Sequence, residues 1–389
     1  MRMMSDTSLI LLPDCEFELR CEKVRSQLAA ANTEAMLISG NANKYYLTGR
    51  VFAGWILLGC DGGFHAYVRR PVHLSGDEVT FVRKPEDMEL KYSSLALELS
   101  AMTASDYLRL KAIAASAAIT DASVMLRNAR STKTAYEIER IAESGRRQEA
   151  VYRTIPQLYR KGMTDLQLQI ELERALRSAG CLGQFRISGD SMELFMGNIL
   201  AGDNADNPTP YDFAMGGAGA DPSLPVGADG TVIAEGQSVM VDANGNFTGY
   251  MTDMTRTFAL GQLPEKALRA HQCSIDICSE LARMACPGIK ASDMYHRAAE
   301  MACEAGLEDY FMGHRQKAGF VGHGVGIEIN EAPVIAPRSR DIIEVGNVIA
   351  LEPKFVIPGT GAVGIENTYV VEPDSTRCLT LAPEEILQL

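Results

Sequence analysis

Five residues in the second half of the chain carry a chemistry that none of them suggests alone. Asp242 ends the apolar run Ser238 to Val241, and Asp253 follows eleven positions later, beyond a turn that holds Gly245 and Gly249. Two antiparallel strands joined by such a turn bring their acids side by side. Like charges at that distance are costly unless a cation lies between them. Further on, Gly322-His323-Gly324-Val325-Gly326 brackets a histidine with glycines, which leave room for close approach of a ligand. Leu351-Glu352-Pro353 and Ile365-Glu366-Asn367 each deliver a glutamate from an apolar run. Four carboxylates and an imidazole suit Mn, Fe, Co or Zn rather than calcium. Two such ions sharing carboxylates generate a hydroxide nucleophile near neutral pH and polarise a carbonyl. One aspartate at a strand end is ordinarily a turn residue, and one histidine a satisfied polar group; the combination points to a metal centre.

These residues need elements to hold them. Strand-like runs are predicted at Ser238 to Val241, Val348 to Leu351 and Thr368 to Val371, each beginning or ending at an acid. A long helical segment follows Thr134, with Ile138, Ile141, Val151, Ile155 and Leu158 as core candidates. Thr164-Asp165-Leu166-Gln167 has capping-box form, and Leu168, Leu172, Ala175 and Leu176 then recur at helical spacing until Gly180. Two more helices are predicted, Glu265 to Cys286 before Pro287-Gly288 and Ser292 to Ala305 before Gly306. The Gly, Ala and Pro-rich stretch from Phe213 to Gly230 reads as an ordered loop.

The first half alternates strand and helix without a catalytic cluster. A helix is predicted over Cys15 to Ala31 and a short strand over Ala35 to Ser39. Phe52 to Cys60 and Phe64 to Val68 form a hairpin about Asp61-Gly62-Gly63. The polar, basic stretch from Arg127 to Thr134 marks the domain boundary. A chain of 389 residues with 46% hydrophobic and 22% charged residues has apolar side chains enough for two cores. The net charge of −13 repels phosphate backbones and anionic lipid, so neither a nucleic-acid nor a membrane partner is expected. The nine cysteines form no CxxC pair and are expected to be small buried residues of a reducing compartment. Met1 to Pro13 holds only the short apolar run Leu9 to Leu12, too short for a signal peptide, and cytoplasmic residence is expected. No HExxH, P-loop, GxSxG or GxGxxG context occurs.

VDANGNFTGYMTDMTRTF, GHGVGIEINEAPVI, ALEP and GIENTYVV, in that order, resemble the pita-bread metallopeptidases: methionine aminopeptidase, aminopeptidase P and prolidase, with creatinase as a non-peptidase relative. NANKYYLTG at 41–49 and the Asp-Gly-Gly hairpin resemble the N-domain of creatinase and prolidase. The resemblance implies an α/β N-terminal domain over 1–128 and an α+β pita-bread catalytic domain over 129–389. It further implies two divalent ions: Asp242 chelates one, Asp253 and Glu366 bridge both, and His323 with Glu352 completes the other. A bridging water or hydroxide then attacks the scissile carbonyl, with Glu352 as proton acceptor and donor and His323 beside it at the catalytic centre. The implied function is an Xaa-Pro dipeptidase or aminopeptidase acting on short peptides, commonly as a homodimer.

Three positions depart from the proline-directed pattern. Asn330-Glu331 stands where His-Glu is usual, Gly364 stands where an arginine usually precedes the last glutamate by two places, and FAMGGAGADPSLPVG lacks a further histidine. Asn330 and His314 are the candidate substrate contacts, although His314-Arg315 also reads as a solvated or helix-capping pair. Thr255 reads equally as a hydroxyl support for Asp253 and as a plain strand threonine. Trp55 is expected in a core or interface, and Cys273 and Cys278 carry no chemistry. The departures keep open a non-peptidase of the same fold, an amidinohydrolase, other small-amide hydrolase or lyase. A silent binding module is disfavoured, since all five ligand positions are filled.

Overall fold

The computed structural model describes residues 7–183, 185–187 and 196–389. The expectation for the start of the chain thus falls partly outside the described residues. The chain divides into two compact units, Met1–Arg130 and Ser131–Leu389.

In the first unit a six-stranded mixed sheet runs in the order β4-β3-β2-β1-β5-β6, with β1 (Ala35–Ile38), β2 (Ala53–Gly59), β3 (Phe64–Arg70), β4 (Val79–Phe81), β5 (Ser94–Leu97) and β6 (Ala118–Asp121). Helices α1 (Asp14–Ala30), α2 (Asn41–Thr48), α3 (Ala104–Ile113) and α4 (Ser123–Ser131) complete it. The β2–β3 hairpin turns where Gly62 takes φ 103° and the Asp61 carboxylate accepts from the Gly63 N–H. Trp55 is buried in this unit's core with the Arg69 guanidinium over its ring.

The second unit is built on β7 (Gly197–Ala201), β8 (Gln237–Asn246), β9 (Met251–Leu260), β10 (Gly322–Gly324), β11 (Glu331–Ile335), β12 (Val348–Leu351), β13 (Lys354–Ile357), β14 (Gly361–Gly364), β15 (Asn367–Val371), β16 (Thr376–Cys378) and β17 (Leu387–Gln388). They form a sheet β17-β9-β8-β7, a sheet β11-β10-β12-β15-β16, and the pair β13-β14. Helices α5 (Ala135–Tyr152), α6 (Ile155–Leu158) and α7 (Asp165–Ser178) share an apolar core with β7 to β9. Helices α8 (Glu265–Met284) and α9 (Ala291–Glu304) share another with β12 to β15. α5 and α7 start at capping boxes, Thr134 with Glu137 and Thr164 with Gln167.

β8 and β9 form a long antiparallel hairpin, and β9 is buried along almost its whole length. Alternate residues of β9 stitch it to the neighbouring strands. The Asp253 N–H donates to Thr368 Oγ1, whose hydroxyl donates back to the Asp253 carbonyl at 2.8 Å. Thr257 Oγ1 exchanges hydrogen bonds with the Gly364 N–H and C=O. Between them the Arg256 guanidinium, almost wholly buried, donates to the carbonyls of Thr255, Glu366 and Ala382 and to Asn367 Oδ1.

All nine cysteines are free, but their predicted burial is only partly met. Cys21, Cys181, Cys273 and Cys278 are buried, whereas Cys15, Cys60 and Cys303 are exposed. No helix among the described residues is long and apolar enough to cross a membrane.

Candidate metal centre

The period-two alternation of strands decides which side chains can meet. In the β8–β9 ladder Asp242 lies opposite Thr255 and Asn244 opposite Asp253. The two aspartates are therefore diagonal neighbours on one face of the hairpin. His323 sits at the middle of β10, opposite Ala350 of β12 and Val334 of β11. Glu352 follows the last residue of β12, and Glu366 lies between β14 and β15.

The glycines around His323 have a reason other than room for a ligand. A Cβ on Gly322 would run into the Ala350 carbonyl, one on Gly324 into the Ala332 carbonyl, and one on Gly326 would lie 2.7 Å from a Glu331 carboxylate oxygen. Glycine lets the neighbouring strands and Glu331 close around the histidine. Glu331, buried, accepts the Ile327 and Glu328 N–H groups and pairs with buried Lys133 at 3.1 Å, which fixes the bend after β10.

The five predicted ligands converge in two sets of three, Asp253 with His323 and Glu366, and Asp242 with Glu352 and Glu366, the donor atoms of each set within 4.8 Å of one another. Asp253, His323, Glu352 and Glu366 are buried and Asp242 is half-buried. The His323 Nδ1–H donates to the Gly324 carbonyl at 3.0 Å, which aims Nε2 at Glu352 Oε1 (3.3 Å) and Asp253 Oδ2 (3.8 Å).

A sixth residue completes the cluster, and sequence reading missed it. Lys354, the first residue of β13 and 0% exposed, sets its Nζ 2.8 Å from Asp242 Oδ2, 2.8 Å from Glu352 Oε2 and 3.3 Å from Glu366 Oε2. It lies directly opposite Gly364 in the β13–β14 ladder. The position where the resemblance implies arginine is thus empty of side chain, and its strand partner supplies a cation. Restoring a side chain at 364 is blocked. Gly364 has φ 142°, and a Cβ there would lie 2.8 Å from the Pro353 carbonyl and 2.9 Å from Ser274 Oγ.

The protein's own charges set the protonation of this cluster. Burial raises the Asp253 carboxyl to about 7, helped by the charge of Asp242. Burial, then Asp253 and Glu352, push Glu366 well above the usual carboxylate range. Burial would raise Glu352 too, but Lys354 and His323 outweigh it and hold that carboxyl down at about 2. Burial opposes the charged form of His323, yet the hydrogen bond and charge of Glu352 bring it up to about 9. Lys354 follows the same pattern, held well above its ordinary value by Asp242, Glu352 and Glu366 against the effect of burial.

The set Asp253, His323 and Glu366 suits a divalent ion. Two carboxylates and an imidazole are donors for the first-row metals. Glu366 Oε2 accepts from the Thr255 hydroxyl at 2.7 Å, while Oε1 is buried with no hydrogen-bond partner. A buried acceptor without a donor costs about 1–3 kcal/mol, and a cation beside it removes that cost. The set Asp242, Glu352 and Glu366 already surrounds the Lys354 ammonium.

Thr255 was expected to support Asp253, but it donates to Glu366. Lying two places apart on β9, Thr255 and Asp253 share a face of that strand, the one from which the Thr255 hydroxyl reaches Glu366. His314 is tied elsewhere: Nδ1 lies 2.9 Å from Asp206 Oδ2 and its ring stacks on Tyr310, while the Arg315 N–H donates to the other Asp206 oxygen. Asn330 is half-buried in the bend before β11. Ser274 on α8 holds both glutamate-bearing turns. Its hydroxyl donates to the Pro353 carbonyl and accepts the Ile365 N–H at 2.9 Å.

Among known proteins, residues 139–373 match the model of metallopeptidase family M24, and residues 20–132 match that of the creatinase/prolidase N-terminal domain. The chain is 26% identical over 385 residues to the uncharacterized peptidase YqhT of Bacillus subtilis, covering 95% of this chain and 100% of that one. It is 32% identical over 155 residues to the Xaa-Pro dipeptidase of Pyrococcus furiosus, covering 40% of this chain and 43% of that one. Its fold is similar to that of the Xaa-Pro dipeptidase from Bacillus anthracis, with a TM-score of 0.79 at 22% identity over 96% of this chain and 100% of that one. The prolidase from Pyrococcus horikoshii OT3 gives the same TM-score and identity over 95% and 99%.

Proposed function

Because this chain belongs to metallopeptidase family M24, with an N-terminal domain of the creatinase/prolidase type, and is on that ground a metallopeptidase-like hydrolase, we propose that it cleaves short peptides at an Xaa-Pro bond. The observation that carries the reading is the convergence of Asp242 of β8, Asp253 of β9, His323 of β10, Glu352 just after β12 and Glu366 between β14 and β15 into one cluster. The relatives named Xaa-Pro dipeptidase support the substrate class.

In this reading Asp253, His323 and Glu366 hold a divalent ion, Mn, Co, Fe or Zn. When bound, the ion acidifies water and polarises the scissile carbonyl. The remaining steps belong to the chain. Glu352, kept ionised at neutral pH by the Lys354 ammonium, accepts the proton of the attacking water and returns it to the leaving amine. Thr255 fixes one Glu366 oxygen so that the other faces the cluster. The Gly324 carbonyl fixes the tautomer of His323. Asn330 and His314 remain the candidate substrate contacts, with His314 engaged to Asp206 before a peptide arrives. A cytoplasmic homodimer is the physiological form in this proposal.

A non-peptidase of the same fold is the second reading, and Lys354 favours it. A fixed cation inside the cluster changes which leaving groups and transition-state charges the site can stabilise. Purified protein incubated with Ala-Pro, Gly-Pro and a tripeptide with proline second, with added Mn(II) or Co(II), separates the two. Release of proline or of the first residue is expected. No release from any of the three, in protein whose metal content is verified, sinks the peptidase reading and leaves the second.

A further inference from the structure

Lys354 touches the same three carboxylates, Asp242, Glu352 and Glu366, whose oxygens form one of the two donor sets of the cluster. An ammonium has three N–H donors and no acceptor. Here its nitrogen faces one oxygen from each of three acids at hydrogen-bond distance, within the space where an ion bound by those oxygens would sit. Two cations cannot share that space. The side chain is no surface lysine folded inward by chance: it is 0% exposed, it opens a strand whose facing position is Gly364, and its main-chain carbonyl is held by the Met312 N–H at 2.8 Å. The other set, Asp253 with His323 and Glu366, has no lysine in it and keeps the unpartnered oxygen of Glu366.

We propose that Lys354 is a resident cation that takes the place of one of the two metal ions, so that each chain binds a single divalent ion, at Asp253, His323 and Glu366. The inference rests on the metal reading of the site given above. Asp242 and Glu352 then act as partners of a covalently tethered charge, one that no chelator can remove and that supplies no Lewis acidity. Glu366 alone joins the lysine to the bound ion.

The test is a count of Mn(II) per folded chain, with MnCl2 as the probe, in the wild-type protein and in the variants Lys354→Ala and Lys354→Gly. Elemental analysis after desalting gives the number, and the electron paramagnetic resonance spectrum reports coupling between paired Mn(II) ions. One ion per chain is expected in the wild type, and two, with a coupled spectrum, in the variants. Two ions in the wild type overturn the inference while leaving the metal site standing. Equal counts in wild type and in variants with unchanged circular dichroism overturn it as well. Zero ions in both the wild type and the variants overturn the inference together with the metal reading on which the proposed function stands, and zero in the wild type with one in the variants overturns the single ion at Asp253, His323 and Glu366.

Discussion

Thr255 shows how much one hydroxyl can decide in a cluster of acids. By donating to Glu366 Oε2 it leaves Oε1 as the oxygen that faces a bound ion. Replacing a group that orients a metal ligand typically costs 10–100-fold in metal affinity. Thr255→Val should therefore weaken Mn(II) binding by about 10–100-fold with little change in shape; isothermal titration reads the Kd, and an unchanged value refutes this role. Glu352→Gln should lower kcat on an Xaa-Pro dipeptide by about 10²–10⁴-fold, the usual contribution of a positioned proton-transfer group. The five clustered residues were legible because the acids lie along or beside apolar runs, the histidine stands between glycines, and their order resembles a known pattern. Lys354 was not. A lysine after Glu-Pro reads as an ordinary surface residue, and only the ladder that sets it opposite Gly364 shows where its side chain must go. The hydroxyl of Thr255 was read onto its near neighbour in sequence, because the crossing that brings β15 over β9 is not written in either strand.

At the level of elements, β9 holds the centre together by donating and accepting across to β14 and β15 through Asp253, Thr255, Arg256 and Thr257. Arg256→Met would leave the carbonyls of Glu366 and Ala382 without donors inside the core, while that of Thr255 keeps the Glu366 N–H. A loss of about 3–5 kcal/mol is expected, measurable as a lowered urea midpoint. Lys replaces Arg poorly here, since a single ammonium cannot reproduce the planar fork. In the first unit, Lys44 ties α2 to the start of β2 by donating to the Phe52 carbonyl at 2.7 Å. Burial holds its ammonium down at about 8, against an ordinary value of 10.5. The folded unit thus binds fewer protons than the unfolded chain between about pH 8 and 10.5, and stability rises with pH across that window. Below pH 8 the group is charged in both states and the cost of burying it is constant. Urea midpoints of wild type should accordingly climb relative to Lys44→Met between pH 8 and 10.5, and parallel curves would contradict the assignment. Helices and hairpins were legible in sequence because caps, glycines and apolar periodicity are local: the Thr164 box and the Asp61-Gly62-Gly63 turn stand where the pattern put them. The order of strands in the second unit was not, since it depends on pairings between segments as distant as 253 and 368.

For the whole molecule, the physical division of labour is between a unit with no metal-holding cluster among its described residues and a unit with six interlocked titratable side chains. An ion that binds only the folded form stabilises it by RT ln(1 + [L]/Kd), about 2.7 kcal/mol at a hundredfold excess over Kd. Hydrogen exchange should therefore slow in β8, β9 and β15 when Mn(II) is added and stay unchanged in β1 to β3. The central claim, that side chains from distant parts of the chain cage a divalent ion, is tested most directly by anomalous diffraction from crystals soaked in MnCl2. The account predicts an anomalous peak within the ~2.0–2.5 Å reach of coordination bonds of Asp253, His323 and Glu366. A fully occupied surface site with no peak at those three residues would contradict it.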